Sequence, residues 1–416
     1  MGWLERLFVP KAQRPAFYRD AQMAATRSAL QGLCVAIAVQ VVLGLGGNEQ
    51  HSAWMHAGTF VGLTLSLLYV QLGNRFNPMR LLMISDSVSA LCLFAIGLYG
   101  THTLEGALPL AVLATAATGI NAVGVPMISA SYSHIYPAEL RGRIVSLTRM
   151  LHGLAGMLSL LVLSQVLQSS PGAIAWVFPL AGVFVVLAAL RFTRMKELSG
   201  MHVNRRSLKG LLRVLAEDTQ FRRFQLFQMI LGFANLMAAP LLAVYVKKEL
   251  NLPVDVAVLV VSGGAVEQAL VLLSVRFHGG LFDRLGVVRH RALASVLIGA
   301  GFLAWGVADS LWLGIVAGAL IGLGRAGGGV VWTIGSLYFA KRGDEGLYSG
   351  VHTSLTGLRG MLAPLAGLWV FENLVGRDYR SLFFLAAGMI FFSAVGHALF
   401  VRVPKREAEL EPGKLS

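Results

Sequence analysis

Gly279-Gly280-Leu281-Phe282-Asp283-Arg284-Leu285-Gly286-Val287-Val288-Arg289 is a charged, glycine-containing turn wedged between apolar segments at 255–275 and 292–308. Each segment is long enough to cross a bilayer. A turn this short between two such segments has to sit at the membrane surface, where Arg284 and Arg289 reach headgroups and Asp283 can cap a helix. An echo lies in the first half, Val70-Gln71-Leu72-Gly73-Asn74-Arg75-Phe76-Asn77-Pro78-Met79-Arg80. Asn74, Arg75 and Arg80 precede Asp283, Arg284 and Arg289 by one offset (283 − 74 = 209), about half of the 416 residues. The chain therefore reads as a duplication.

Composition agrees. With 56% hydrophobic and 13% charged residues and a mean hydropathy of +0.67, this is the make-up of a membrane protein. A net charge of +14 would suggest nucleic acid as partner for a soluble chain; here the placement of the charges explains it, and no nucleic-acid partner is expected. Cys34 and Cys92 both lie in apolar segments, so neither a disulfide framework nor a cysteine metal site is expected. The first 27 residues carry Arg6, Lys11, Arg14, Arg19 and Arg27 without a cleavable apolar core, a pattern unlike a signal peptide.

Twelve spans of roughly 20 residues are predicted, the length that crosses about 30 Å of hydrocarbon. They fall near 22–45, 53–73, 79–99, 106–130, 144–168 and 173–193, and near 224–246, 255–275, 289–308, 311–338, 347–371 and 380–402. Residues 1–193 and 224–416 form the two halves. Lys and Arg decide the orientation. With a cytoplasmic N-terminus, the inner connections hold Arg75, Arg80, Arg141, Arg143, Arg276, Arg284, Arg289, Arg291, Lys341 and Arg342, and the run from Arg191 to Arg223. The outer connections hold only Lys247, Lys248, Arg377 and Arg380. Both termini are therefore expected in the cytoplasm. The linker 194–223 sets Arg205, Arg206, Lys209 and Arg213 beside Leu208, Leu211, Leu212 and Leu215, an amphipathic basic helix for the inner leaflet or a passive connection.

A second echo supports the duplication. Leu151-His152-Gly153-Leu154-Ala155-Gly156-Met157-Leu158 in span five matches Leu355-Thr356-Gly357-Leu358-Arg359-Gly360-Met361-Leu362 in span eleven. Parallel repeats of this kind place a substrate site near the midplane between the halves. Gly314, Gly318 and Gly322 have the spacing that lets helices pack closely. Gly322-Leu323-Gly324-Arg325-Ala326-Gly327 fits a dinucleotide fingerprint, but it lies inside an apolar run and lacks the strand that fingerprint needs. No cofactor is expected.

The chain resembles the major facilitator superfamily along its whole length. Gly279, Leu281, Asp283, Arg284 and Gly286 match that family's loop signature between spans eight and nine, with Val287 and Val288 in place of its basic pair. In the first half Val70 and Asn74 replace the Gly and the Asp, so that copy is degraded. Tyr136-Pro137-Ala138-Glu139-Leu140-Arg141-Gly142-Arg143 resembles the segment these transporters carry after span four. The resemblance implies twelve helices in two six-helix bundles, and a latch in which Asp283 and Arg284 hold the inner gate shut. Drug–proton antiporters, whose activity is efflux, are similar only at Gly360-Met361-Leu362-Ala363-Pro364-Leu365-Ala366-Gly367; span four has no Arg and span five no Pro.

Charges inside the spans point to the chemistry, because each costs roughly 2.5–3.5 kcal/mol at mid-helix on insertion scales. They are Arg27, Asp86, Arg149, Glu267, Arg325 and Arg359. Arg27 and Arg149 read equally as cavity residues or as interfacial anchors whose long side chains reach the surface. Arginine exceeds carboxylate, which favours an anionic or neutral solute over a cation. His152 and His352 can titrate near neutral pH or serve as packing residues. Asn121 and Asn235 are candidate cavity polar groups, and Asn74, Arg75, Arg80, Asp283, Arg284 and Arg289 form the gate loops. The expected function is secondary active transport of a small organic solute, coupled to a proton through Glu267 with Arg359 or Arg325 as partner. A uniporter, or a non-transporting membrane receptor of the same fold, is the alternative. A monomer in a cell membrane, of the bacterial inner-membrane kind, is expected, with lipid, solute and proton as its partners.

Overall fold

The computed structural model describes residues 9–38, 41–42, 49–73, 76–98, 106–199, 201, 208–250 and 264–404. Among these residues the chain is helical and has no strand. The first half contains α1 (Arg14–Gln31), α2 (Glu49–Gly73), α3 (Pro78–Gly97), α4 (Ala107–Val123), α5 (Val125–Ile135), α6 (Ala138–Ser169) and α7 (Ile174–Thr193). The short α8 (Leu208–Glu217) leads into the second half, α9 (Thr219–Lys248), α10 (Ala265–Val307), α11 (Leu311–Ile334), α12 (Glu345–Asn373) and α13 (Tyr379–Phe400). Nine helical stretches among the described residues are long and apolar enough to cross a membrane. One of them, α10, runs 43 residues and would be about 65 Å long as a straight helix, roughly twice a bilayer.

That length is resolved at Gly286. Its φ of 74° and ψ of 166° lie outside the helical region, a conformation that costs glycine little and other residues much. One residue therefore reverses the chain where the sequence suggested an eleven-residue turn. The helix runs through Asp283 and restarts at Val287, so 279–285 are the last turns of the eighth span. Span four is also split, into α4 and α5 at Gly124, with Pro126 in the first turn of α5, where a missing N–H costs nothing. The first span differs at its start. Helix begins at Arg14, with Pro15 in its first turn, well ahead of the apolar run at 22. After Gln31 it continues as a π-helical turn, Gly32–Ile37. Parts of the expected spans one and eight, residues 39–40, 43–45 and 255–263, lie outside the described residues, as do Asn74, Arg75, Arg205 and Arg206. The fingerprint-like Gly322–Gly327 is helical within α11.

Apolar burial shows how the halves meet. One core cluster draws on both: Met79, Tyr132, Tyr136 and Val145 from the first half, and Phe221, Phe282, Val287 and Leu337 from the second. A second cluster, with Leu30, Leu93, Leu110 and Phe178, belongs to the first half alone. A third, with Leu242, Trp305, Phe302 and Phe383, belongs to the second half alone. The halves thus share a core at the end that carries Gly286, here called the latch end, and keep separate cores at the other.

The two sequence echoes lie on the seam between the halves. Helix α6 packs on α10, and α12 on α2. A side chain at Gly153 would meet Leu272 of α10, and one at Gly357 would meet the backbone of Thr64 on α2. At the latch end Gly142 and Gly279 oppose each other; a methyl at Gly279 would lie 2.7 Å from the Gly142 carbonyl. Small residues let these backbones approach.

Candidate functional site

A cavity of about 240 Å³ lies among α1, α2, α4, α5 and α6, and its wall is completed from the other half by Trp332 and Thr333 of α11. Four of the residues singled out from sequence line it: Arg27, Asn121, Arg149 and His152. Asn235, Arg325, His352 and Arg359 are not on its wall. The two arginines for which two readings stood open are interior residues: Arg27 is buried, and both border the cavity rather than the surface.

Helical spacing assembles the first-half group. Arg27 Nη1 lies 3.4 Å from Asp86 Oδ1, with the carboxylate fully buried. Asn121 Nδ2 donates to the same oxygen at 2.9 Å, and Arg27 Nη2 donates to the Asn121 carbonyl. Three spans are tied by one carboxylate whose charge is compensated where it is buried, as a low-dielectric interior requires. Arg149 stands apart from this network. Its guanidinium sits 5.5 Å from the Trp332 ring centre, a cation–π contact across the two halves. Among the described residues no carboxylate lies within ion-pair distance of it. His152 Nδ1 pairs with the Ala24 carbonyl at 3.0 Å, so that nitrogen carries the proton.

The second half builds a parallel group. Glu267 is paired with Arg325, and Arg325 Nη2 donates to Asn235 Oδ1 at 2.8 Å. Of the two partners expected for Glu267, Arg325 is the one it has. Arg359 instead donates through Nη1 to the Gln228 carbonyl at 2.6 Å, because α12 carries it against α9 beside Gly232. His352 pairs with Gln225 at 3.1 Å and lies one layer behind Trp332, ring centres 6.1 Å apart.

At the latch end Asp283 does not cap a helix end as expected but reaches across to the second turn of α6 in the other half. Its carboxylate accepts from the backbone N–H groups of Gly142 at 2.8 Å and Arg143 at 2.9 Å, near the N-terminus of α6, where the dipole favours an anion. Arg284 is exposed and takes no part in this contact, contrary to the expectation from the family signature. It follows Asp283 on a helix, about 100° away, and so cannot face the same neighbour. Arg289 and Arg80 are exposed at the same end. On the other side of the seam Val70 and Leu67 lie beside Gly350 of α12; Asn74, the counterpart of Asp283, lies outside the described residues.

Several interior polar residues were missed from sequence. Asp20 is buried on the cavity wall. It accepts from Tyr136 at 2.8 Å, Thr148 at 2.9 Å and Tyr132 at 3.2 Å. Arg141 is buried and donates to the carbonyls of Tyr132 and Tyr136, each at 3.1 Å. His278 and His290 meet at 3.2 Å across the Gly286 break. Asp20 sits among Arg14, Arg19 and Arg27 in a segment that looks like a basic surface. Its only signal is that 20, 23 and 27 share one helical face.

The family model of the Major Facilitator Superfamily matches residues 224–415, the second half. No curated protein matches the chain. Solved structures match nearly all of it. The proton:xylose symporter XylE bound to 6-bromo-6-deoxy-D-glucose is similar with a TM-score of 0.70 at 13% identity, over 93% of this chain and 96% of that one. A bacterial homologue of the iron transporter ferroportin, in an outward-facing state, gives 0.67 at 16% identity over 94% and 99%. The human organic anion transporter MFSD10 gives 0.62 at 15% identity over 94% and 100%. At these identities the likeness establishes the fold: the chain has the major facilitator architecture of two helical bundles.

Proposed function

We propose that this protein is a secondary active transporter that moves a small organic anion by alternating access and couples it to protons. The observation that carries the reading is Arg149, a cation on the wall of a cavity between the halves, stacked on Trp332 of the opposite half and without a carboxylate partner among the described residues. A cation held by a ring face keeps its hydrogen-bond donors free for a carboxylate or similar group. Arg27 adds no net charge, since Asp86 balances it. The neighbours' names support transport: two are titled as transporters of an organic anion and of a sugar with a proton.

The Lys and Arg distribution puts the latch end in the cytoplasm. On that assignment the shared core and the Asp283 contact with α6 support reading this as a state closed to the cytoplasm. Glu267 is assigned the coupling proton. When Arg325 turns from it, the buried carboxylate loses that counter-charge and takes up a proton. Each ligand biases the two states only by its differential affinity for them.

Reconstitution into liposomes with a pH gradient tests this. Wild-type protein should accumulate an organic anion uphill. Glu267→Gln should still exchange it across the membrane while accumulation disappears. Gradient-driven accumulation by the Gln variant removes Glu267 from coupling, and equilibration without accumulation by wild type makes the protein a uniporter. Absence of flux for every small organic solute leaves a receptor.

A further inference from the structure

We infer that the interior of the second bundle holds a small inorganic anion of the halide class, bound between Arg291 on α10 and Arg359 on α12. Arg291 is 5% and Arg359 8% exposed. Among the described residues neither has a carboxylate within ion-pair distance. The two guanidinium groups lie close enough to repel each other. Their other neighbours add no negative charge. Arg359 meets Gln228 and Thr356. His352, paired with Gln225, is within electrostatic reach of both arginines, and His397 of Arg291. Two cations buried together without a counter-charge are among the most costly features a fold can carry. Neither borders the cavity that holds Arg149, so a solute bound there does not neutralise them.

The first half shows that packing does not require these charges. By the offsets of the two sequence echoes, Arg291 corresponds to Leu82 (291 − 209 = 82) and Arg359 to Ala155 (359 − 204 = 155). Leu82 is fully buried and belongs to an apolar core. The same architecture is therefore built once with small or apolar side chains at these positions and once with two arginines. The second version needs a negative charge that the chain itself does not supply.

The donors left over select the ligand. Arg359 Nη1 donates to the Gln228 carbonyl at 2.6 Å and Arg291 Nη1 to the Gly328 carbonyl at 3.4 Å. Arg359 Nη2 reaches Thr356 Oγ1 at 3.5 Å. The Nε of each arginine and the amide nitrogen of Gln225 are buried and meet no acceptor. Three single donors, left on α9, α10 and α12, suit a sphere that accepts from any direction. Sulfate or phosphate offers several oxygens and a second charge, and would need paired donors to hold them. The surroundings are also apolar: the Phe224 ring centre lies 5.5 Å from that of His397 and 6.5 Å from that of His352. A singly charged halide gives up its water there at least cost. Once bound, it ties spans seven, nine and eleven together. Arg291 follows the Gly286 reversal by five residues, and His290 beside it meets His278 across that break. The anion thus braces the second half behind the latch. The inference needs no transported solute and rests on neither Arg149 nor Glu267.

The test uses the whole protein in detergent. After dialysis into sodium gluconate it is titrated with chloride or bromide at constant ionic strength while thermal unfolding is followed. The melting temperature should rise along a saturating curve, by about 3–5 °C at a hundred-fold excess over Kd. Sulfate at the same ionic strength should give no saturating rise. Arg291→Leu should abolish the response and, in gluconate, melt no lower than wild type, because it removes an uncompensated buried charge. Arg359→Gln should weaken halide binding by roughly ten-fold or more. Arg149→Gln should leave the response as it is. Crystals grown in bromide should show an anomalous peak between Arg291 and Arg359, a result that does not depend on how the variants fold. A wild-type protein that does not distinguish halide from gluconate overturns the proposal. So does a response kept by both Arg291→Leu and Arg359→Gln, a saturating response to sulfate that is tighter than to chloride, or bromide found only beside Arg149. A protein that binds halide in this way and carries no solute leaves the inference standing and removes the transport reading.

Discussion

In each half of the molecule one arginine, one carboxylate and one asparagine are tied together in the interior, and the two trios are wired differently. In the first half Arg27 is on span one and Asn121 on span four. In the second half Asn235 is on span seven and Arg325 on span ten. The positions correspond (325 − 121 = 204; 235 − 27 = 208), so cation and amide have changed places across the duplication. The carboxylates do not correspond: Asp86 is on the third span of its half, Glu267 on the second of its own. What the two trios share is therefore a neutral sum of charges, which is what burial in a membrane demands, and not a fixed set of positions. They differ in exposure. Asp86 is 0% exposed and the Arg27 side chain 8%, whereas the Arg325 side chain paired with Glu267 is 24% exposed. The first pair is a fixed strut bordering the cavity, and the second has room to break.

The largest effect expected from this comparison is on stability. Asp86→Asn leaves the Arg27 charge buried and uncompensated, and should cost on the order of 3–5 kcal/mol. Glu267→Gln should cost only about 1 kcal/mol, because Arg325 keeps Asn235 and some access to water. Unfolding in detergent measures both, and the double variant Arg27→Met with Asp86→Leu should recover most of the loss. Equal destabilisation by the two single changes would show that the pairs do not differ as described.

The latch offers the next contrast. Asp283→Asn weakens two hydrogen bonds that the carboxylate accepts from the Gly142 and Arg143 N–H groups of α6, together about 1.5–3 kcal/mol. Transport should then fall by roughly ten-fold or more, while Asn74→Ala, in the copy that has lost its carboxylate, changes it little. Equal loss from both would mean that the first-half loop still carries a gate of its own. Smaller still, Asn235→Ala removes one neutral acceptor from Arg325 and should cost about 1 kcal/mol. If it costs as much as Asp86→Asn, the second-half trio is as rigid as the first.

Much of this was legible in the sequence, and for identifiable reasons. Runs of about 20 apolar residues and the paired turns announce spans and duplication, because a membrane punishes exceptions to both. The buried charges stand out against such runs for the same reason. Asp20 did not, since it precedes the apolar run and looks like one more surface charge; only its tertiary partners on α5 and α6 place it inside. Trp332 was passed over because a tryptophan in a span has many uses until Arg149 is found opposite. The Gly286 reversal compressed a predicted loop into one residue, which moved Asp283 onto a helix and turned Arg284 away from the contact.

Arg149 bears most of the functional account, and charge movement in proteoliposomes on a solid support addresses it directly. Small organic acids, neutral sugars and organic cations would be applied in turn, with and without a pH step. The account predicts transient currents with an organic acid, abolished by Arg149→Gln and retained at reduced affinity by Arg149→Lys. Currents evoked by cations or sugars and left unchanged in Arg149→Gln would contradict it.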